Sequence, residues 1–153
     1  MNYRTEFYIM NVIREKPPKM SSVRIFKNKW FTKFAKKENI SDAKLWETIE
    51  DVESGRVDAD YGGGVIKQRL SRTNEGKSGG YRSIILYRRD DKAFFVYGFA
   101  KSERENIDKD EERGFKDLAR VTFSLSDEEL AKLVEKGVYK EVKRDGPEKN
   151  LQE

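Results

Sequence analysis

The sequence predicts an α+β protein in which two helices precede a small sheet and further helices follow it. Two early segments carry apolar residues at helical spacing, and three strand-like runs come next. Two helix start signals lie beyond the last of these runs. At 153 residues, the chain is expected to form one domain with a modest core.

The first half of the chain is expected to hold one short strand and two helices. Ser22–Lys27 alternates in a pattern typical of a strand. Apolar residues then recur at helical spacing, at Trp30, Phe31, Phe34 and Ala35. Ser41-Asp42 marks the start of a second helix, whose apolar stripe ends before Ser54-Gly55.

Three runs are expected to form the sheet, and they are Gly64–Leu70, Tyr81–Arg88 and Ala93–Ala100. The polar turn at residues 89–92 joins the last two runs and predicts a hairpin. The third run is apolar on both faces at residues 94–97, so we expect it to be a central strand.

Two capping boxes predict the helices that follow the sheet. Asp108 has Glu111 three residues later, and Ser126 has Glu129 at the same spacing. The second of these helices is expected to end at Gly137.

The limits of the domain are predicted from the segments near the two ends of the chain that do not fit a regular helix or strand. Residues 1–20 are expected to form a loosely ordered extension, because Pro17-Pro18 interrupts any regular element. The compact domain is expected over residues 21–142. A charged tail is expected over residues 143–153.

Positive charge is concentrated in the middle of the chain, although the net charge of the whole chain is only +4. Residues 62–104 hold ten lysines and arginines against four acidic residues, which is a net charge of +6. A focused basic patch favours an anionic partner such as nucleic acid.

The chain contains neither cysteine nor histidine. It therefore has no disulfide and no thiolate metal site, and it lacks the usual general base. No run is apolar enough to span a membrane, and the N-terminal segment lacks the features of a signal peptide. We expect a cytoplasmic protein without a metal or another cofactor.

Five cations stand at the ends of the predicted strands. Lys67 and Arg69 share one face of the first strand, about 7 Å apart, which roughly matches successive phosphates. A solvated sheet face is the alternative interpretation of this pair. Arg82 begins the second strand, where it either stacks over the core or points into a cleft, whereas Lys101 and Arg104 follow the third. If the strands are adjacent, these five side chains converge.

The glycine-rich segments do not predict a nucleotide triphosphate site. Gly76–Gly80 lacks the spacing of a P-loop and is followed by a strand rather than a helix. Gly62–Gly64 is expected to form a bend at the start of a strand.

Three segments together resemble the RelE superfamily of toxins, and they are Gly62–Arg69, Gly76–Ser83 and Tyr97–Ile107. The closest likeness is to the HigB-type branch, and it covers roughly residues 23–142. The resemblance implies a small twisted, mainly antiparallel sheet with two N-terminal helices packed on one side. It also implies a type II toxin that cleaves mRNA on the ribosome. Its partner would be a cognate antitoxin, often with a helix-turn-helix domain.

By this resemblance, the catalytic candidates are Lys67, Arg69, Arg82, Lys101 and Arg104. A lysine is the best candidate for the base, because clustered cations and partial burial favour its neutral form. Arg82 and Arg104 are better suited to stabilising the charge on the phosphorane. Further RNA contacts are expected from Arg72, Lys77, Tyr81 and Arg88.

Two departures from the family pattern leave the general acid and base open. Ser102 stands where the best-known branch has a second arginine, and Asp108 stands where that branch has a tyrosine. Two other functions remain alternatives. One is a toxin of the same fold that poisons DNA gyrase, and the other is an RNA-binding module without catalytic activity.

Overall fold

The computed structural model describes residues 22–70 and 80–144. Its elements in chain order are β1 Arg24–Asn28, α1 Lys29–Lys37, α2 Asp42–Glu53, β2 Ala59–Gly62, β3 Val65–Leu70, β4 Tyr81–Arg88, β5 Lys92–Ala100, α3 Lys109–Phe123, α4 Asp127–Glu135 and β6 Tyr139–Val142. The predicted extension over residues 1–20 and most of the predicted tail lie outside the described residues.

The described strands form one six-stranded sheet in the order β2-β3-β4-β5-β1-β6. Neighbouring strands are antiparallel except for β5 and β1, which are parallel. The predicted α+β fold with a mainly antiparallel sheet is therefore confirmed. Strand β5 has a neighbour on each side, as its two apolar faces predict.

Each face of the sheet is covered by a different pair of helices. Helices α1 and α2 pack on one face, where Phe31 and Leu45 join Phe95 in the core. Helices α3 and α4 pack on the other, where Leu130 joins Phe94. We call these the α1 face and the α3 face. The two N-terminal helices thus lie together on one side of the sheet, as the resemblance implies.

Strands β2 and β6 were not predicted from the sequence. Each has four residues and forms an edge of the sheet. Strand β2 has the sequence Ala-Asp-Tyr-Gly, in which only the tyrosine is large and partly apolar. An edge strand pairs on one side only, so its pairing depends on the neighbouring strand more than on its own pattern.

Gly63 and Gly64 form a two-residue turn between β2 and β3. Gly62 pairs with Val65, and φ is 63° at Gly63 and 83° at Gly64. A type I′ hairpin turn requires positive φ at both central residues, which glycine adopts at little cost. The glycine run therefore sets β2 beside β3.

Side-chain caps define the helix starts. The side chains of Ser41, Asp108 and Ser126 each accept a backbone hydrogen bond in the first turn, and both predicted capping boxes are formed. Helix α1 begins directly at the end of β1, where Asn28 accepts a hydrogen bond from the Phe31 N–H at 2.8 Å. None of the described helices is long and apolar enough to cross a membrane.

Candidate nucleic-acid interface

Two neighbouring rows of residues cross the centre of the sheet and contain three of the predicted site residues. The first row holds Lys67, Ile84 and Tyr97, and the second holds Arg69, Arg82 and Phe99. Val65 belongs to the core on the α3 face. Because side chains alternate along a strand, Lys67 and Arg69 point to that same face. The alternate residues Ile66, Gln68 and Leu70 are buried, so Lys67 and Arg69 share one face, as predicted.

Asn106 connects this surface to the loop after β5. Its Oδ1 accepts a hydrogen bond from the Tyr61 hydroxyl at 2.5 Å and another from Lys67 Nζ at 3.4 Å. Its backbone carbonyl accepts a hydrogen bond from Arg104 Nε at 2.9 Å. Asn106 thus holds together side chains from β2, β3 and its own loop.

Arg104 uses most of its hydrogen-bonding capacity inside the protein. It donates to the Tyr97 hydroxyl at 3.1 Å and to the two carboxylate oxygens of Glu111 at 3.1 and 2.6 Å. With the bond to Asn106, four of its five N–H donors are engaged. One N–H remains for a ligand, so Arg104 chiefly positions its neighbours.

The protonation states at this site follow from these contacts. Hydrogen bonds from Arg104 hold the pKa of the Glu111 carboxyl below its usual value, and the same pair raises the pKa of Arg104. Partial burial, together with the negative charges of Glu112 and Asp58, raises the pKa of the Tyr61 hydroxyl. At neutral pH, the Tyr61 hydroxyl is therefore protonated and Arg104 is charged. Both residues hydrogen-bond to Asn106.

Arg82 is buried rather than open to a ligand. Only 9% of its side chain is exposed, and its Nε lies 3.2 Å from Asp58 Oδ2. One terminal nitrogen also donates to the carbonyl of Tyr81 at 3.4 Å. The Asp58 carboxylate compensates the charge of Arg82, which sits opposite Arg69 in the sheet.

Arg69 and Lys101 are exposed. Within residues 22–70 and 80–144, neither side chain has an ion pair or a hydrogen bond. Lys67 has no acidic partner there, and its amine donates a hydrogen bond to the amide oxygen of Asn106. These three residues therefore provide the positive charge that a phosphate could neutralise.

Tyr81 lies on the α1 face, away from Lys67. It is 4% exposed, its ring meets that of Phe34 edge-on, and its hydroxyl donates to the Glu38 carboxylate. The structure therefore does not bring this predicted RNA contact to the site.

Arg88 is at the far end of β4, where its guanidinium lies over the Phe123 ring at 4.5 Å. It is also distant from the two rows, since it lies four positions along the strand from Ile84, or about 13 Å. Two other predicted RNA contacts, Arg72 and Lys77, lie outside the described residues.

Four residues at the site were not assigned by sequence reasoning, and they are Asp58, Tyr61, Asn106 and Glu111. Glu111 was recognised only as part of a capping box. Asn106 lies in the segment that carries Lys101 and Arg104, and a polar residue so close to them was a usable signal. No local pattern pointed to Asp58 or Tyr61, whose partners are distant in sequence.

The chemical character of the site suits an anion. Its available groups are the side chains of Lys67, Arg69 and Lys101 and the hydroxyl of Tyr61, all of which can donate hydrogen bonds. In the part of the chain that the structure describes, no group of three or more acidic side chains is arranged to hold a metal ion. Lysines and arginines clustered on one face are the electrostatic signature of a nucleic-acid-binding surface.

A family model described as the RelE toxin of the RelE / RelB toxin-antitoxin system matches residues 23–142. The match includes every described helix and strand and every residue of the site. Comparison with curated proteins gives no match.

Proposed function

Because the chain belongs to the RelE toxin family, we propose that it cleaves mRNA on the ribosome, without a metal ion or another cofactor. Family membership makes the protein a toxin of a toxin–antitoxin system, with an antitoxin as its partner. Cleavage of mRNA would stop translation. The proposed site of action is the cytoplasm, where ribosomes are found.

The observation that carries this proposal is the group of unpaired cations beside a protonated tyrosine. Lys67 Nζ and the Tyr61 hydroxyl both contact Asn106 Oδ1, so the two side chains lie close together. Arg69 follows Lys67 on the same face. A base, an acid and a cation are the groups that phosphodiester cleavage by the ribose 2′-hydroxyl requires.

The proposed reaction balances with these residues. Lys67 first gives one proton to solvent. Its free amine then takes the proton of the 2′-hydroxyl, and the 2′-oxygen forms a bond to phosphorus. The bond from phosphorus to the 5′-oxygen breaks, and Tyr61 gives its proton to that oxygen. The products are a 2′,3′-cyclic phosphate and a 5′-hydroxyl. Arg69 stabilises the charge on the phosphorane.

Arg82 and Arg104 have a supporting role in this proposal. Asp58 compensates the charge of Arg82, and Glu111 compensates that of Arg104. Arg82 thereby stays fixed opposite Arg69, and Arg104 stays fixed beside Asn106, which contacts Lys67. Lys101 is exposed at the end of β5, where it could contact the next phosphate.

Primer extension on mRNA with purified ribosomes tests the proposal. We expect Mn²⁺, added beside the Mg²⁺ that the ribosomes need, to leave unchanged the rate at which wild-type protein cuts a message with a phosphorothioate at the cleaved bond. Lys67→Ala should reduce the cleavage rate by about 10²–10³-fold, because it removes a proton acceptor. Lys140→Ala is the matched control, since Lys140 is an exposed lysine on β6, at the edge of the sheet away from β3. It should cleave like wild type.

Other outcomes would contradict the proposal. Slow cleavage of a phosphorothioate message that Mn²⁺ restores would refute the metal-free mechanism. Full cleavage by folded Lys67→Ala would refute the role of Lys67. Intact mRNA together with inhibition of DNA gyrase would identify a gyrase-poisoning toxin. RNA that is bound but never cut would identify a binding module.

We also propose that the antitoxin carries a helix-turn-helix domain, as the likeness to the HigB-type branch suggests. The adjacent gene should then encode a small protein with that domain, and its co-expression should relieve growth arrest. A neighbouring protein that relieves the arrest but lacks such a domain would contradict this part of the proposal.

A further inference from the structure

Trp30 is an exposed aromatic residue at the border of the candidate site. It is 45% exposed, and the other exposed large apolar residues in the described part of the chain are valines. It lies in the first turn of α1. The exposed part of the indole is aromatic surface that a ligand can contact.

The position of Trp30 follows from the early end of β1. The last pair between β1 and β5 joins Lys27 to Phe95, and the Asn28 side chain donates to the Val96 carbonyl. Beyond that point, β5 has no β1 neighbour. The indole lies beside Tyr97 there, with ring centroids 4.6 Å apart, and its other ring contact is Phe34 at 5.3 Å.

Tyr97 connects this indole to the catalytic candidates. The Tyr97 hydroxyl accepts a hydrogen bond from Arg104 at 3.1 Å. Tyr97 also shares a row of the sheet with Lys67, two strands and about 10 Å away. The exposed indole is therefore at the end of the row on which we place the reacting phosphate.

We propose that Trp30 stacks against a nucleobase of the RNA strand whose phosphate binds at Lys67 and Arg69. The inference rests on the proposed function, since it takes RNA as the ligand. Recognition of single-stranded RNA generally combines cations along the backbone with aromatic rings on which bases stack. If residue 30 served only to cover the side of Tyr97, an aliphatic side chain would be enough. Stacking against a base needs an aromatic ring with exposed surface, as Trp30 has.

Tryptophan fluorescence can detect this contact directly. The chain has two tryptophans. The indole N–H of Trp46 is buried and makes no hydrogen bond within the described residues. Trp46→Phe therefore leaves Trp30 as a single reporter without the loss of a hydrogen bond. We expect a short 2′-O-methyl RNA, which lacks the attacking hydroxyl, to quench its emission.

Affinity measurements then separate stacking from phosphate binding. Trp30→Leu should weaken binding of the 2′-O-methyl RNA by about tenfold. Trp30→Phe should keep most of the affinity. An abasic strand of the same length has phosphates but no bases, so wild type and Trp30→Leu should bind it equally. Circular dichroism confirms that each variant is folded.

Two results would overturn the inference. One is a folded Trp30→Leu protein that binds the base-containing RNA as tightly as wild type. The other is an equal loss of affinity for the abasic strand, which would indicate a general disturbance of the site. Failure of the proposed function has a different signature, which is RNA that binds with quenching but stays intact on the ribosome.

Discussion

The Tyr61 hydroxyl donates a hydrogen bond to Asn106 Oδ1 at 2.5 Å, between residues that are 45 positions apart. The same oxygen accepts a hydrogen bond from Lys67 Nζ at 3.4 Å. Asn106 therefore sets the spacing between the proposed acid and the proposed base. Its removal should disturb both groups at once.

Asn106→Ala should reduce the single-turnover rate of mRNA cleavage by about tenfold, since hydrogen bonds to two reacting groups are lost. The fold should persist, because Asn106 is exposed. Ser102→Ala is a suitable control, as Ser102 is an exposed residue of the same loop. Equal rates for Asn106→Ala and Ser102→Ala would show that Asn106 does not position the site.

RNA affinity should depend on salt in proportion to the number of unpaired cations. Three phosphate contacts, from Lys67, Arg69 and Lys101, give a slope of about −2 for log affinity against log salt concentration on a single strand. Arg69→Ala should reduce the slope by about 0.7, whereas Lys140→Ala should leave it unchanged. Titrations with a short 2′-O-methyl RNA at several salt concentrations measure this slope. An affinity that is insensitive to salt would refute phosphate recognition.

Arg82→Ala should destabilise the fold as well as reduce cleavage. Breaking a buried ion pair costs about 3–5 kcal/mol, and we expect about 2 kcal/mol here because the Asp58 side chain is 31% exposed. Urea unfolding of Arg82→Ala, Asp58→Asn and the double variant measures the coupling. If the effects of the two single changes simply add, the pair contributes no stability.

Glu111→Gln should make the protein less sensitive to acid. The folded-state pKa of Glu111 lies below 4.5, because of its hydrogen bonds with Arg104. Its stabilising effect is therefore complete above the unfolded value of about 4.5 and is lost as pH falls through the lower folded value. Glutamine keeps the capping box but not the charge.

Urea midpoints measured from neutral pH downwards test this expectation. Wild type should lose more stability than Glu111→Gln on acidification. The Glu141→Gln variant provides a comparison, because Arg24 lowers the pKa of that carboxyl outside the candidate site. Parallel pH profiles for wild type and Glu111→Gln would contradict a lowered pKa at Glu111.

Gly98→Ala should destabilise the protein by about 2 kcal/mol through overpacking. A Cβ at Gly98 would lie 2.5 Å from the Phe34 ring, which is held between α1 and the sheet. Gly114→Ala is the matched control, since a Cβ on that helical residue has open space and should stabilise by about 1 kcal/mol. Thermal unfolding separates the two, and a Gly98→Ala protein as stable as wild type would show that Phe34 can move.

Sequence alone determined the elements whose signals are local. The capping boxes at Asp108 and Ser126 are formed, since a cap and its N–H donor are three residues apart. Alternation along β3 correctly placed Lys67 and Arg69 on one face, because neighbouring residues on a strand must point in opposite directions. The apolar run of β5 likewise predicted an internal strand.

Only the tertiary structure decided which side chains meet. From the sequence, Arg82 could either lie over the core or point into a cleft, and strand pairing brings it beside Asp58, where it is buried. Tyr61 and Lys67 reach Asn106 across 45 and 39 residues, through the β2–β3 turn and the register of three strands. Such contacts depend on how distant segments align. No short window of sequence encodes that alignment, because the packing of the whole sheet against its helices selects each strand pairing.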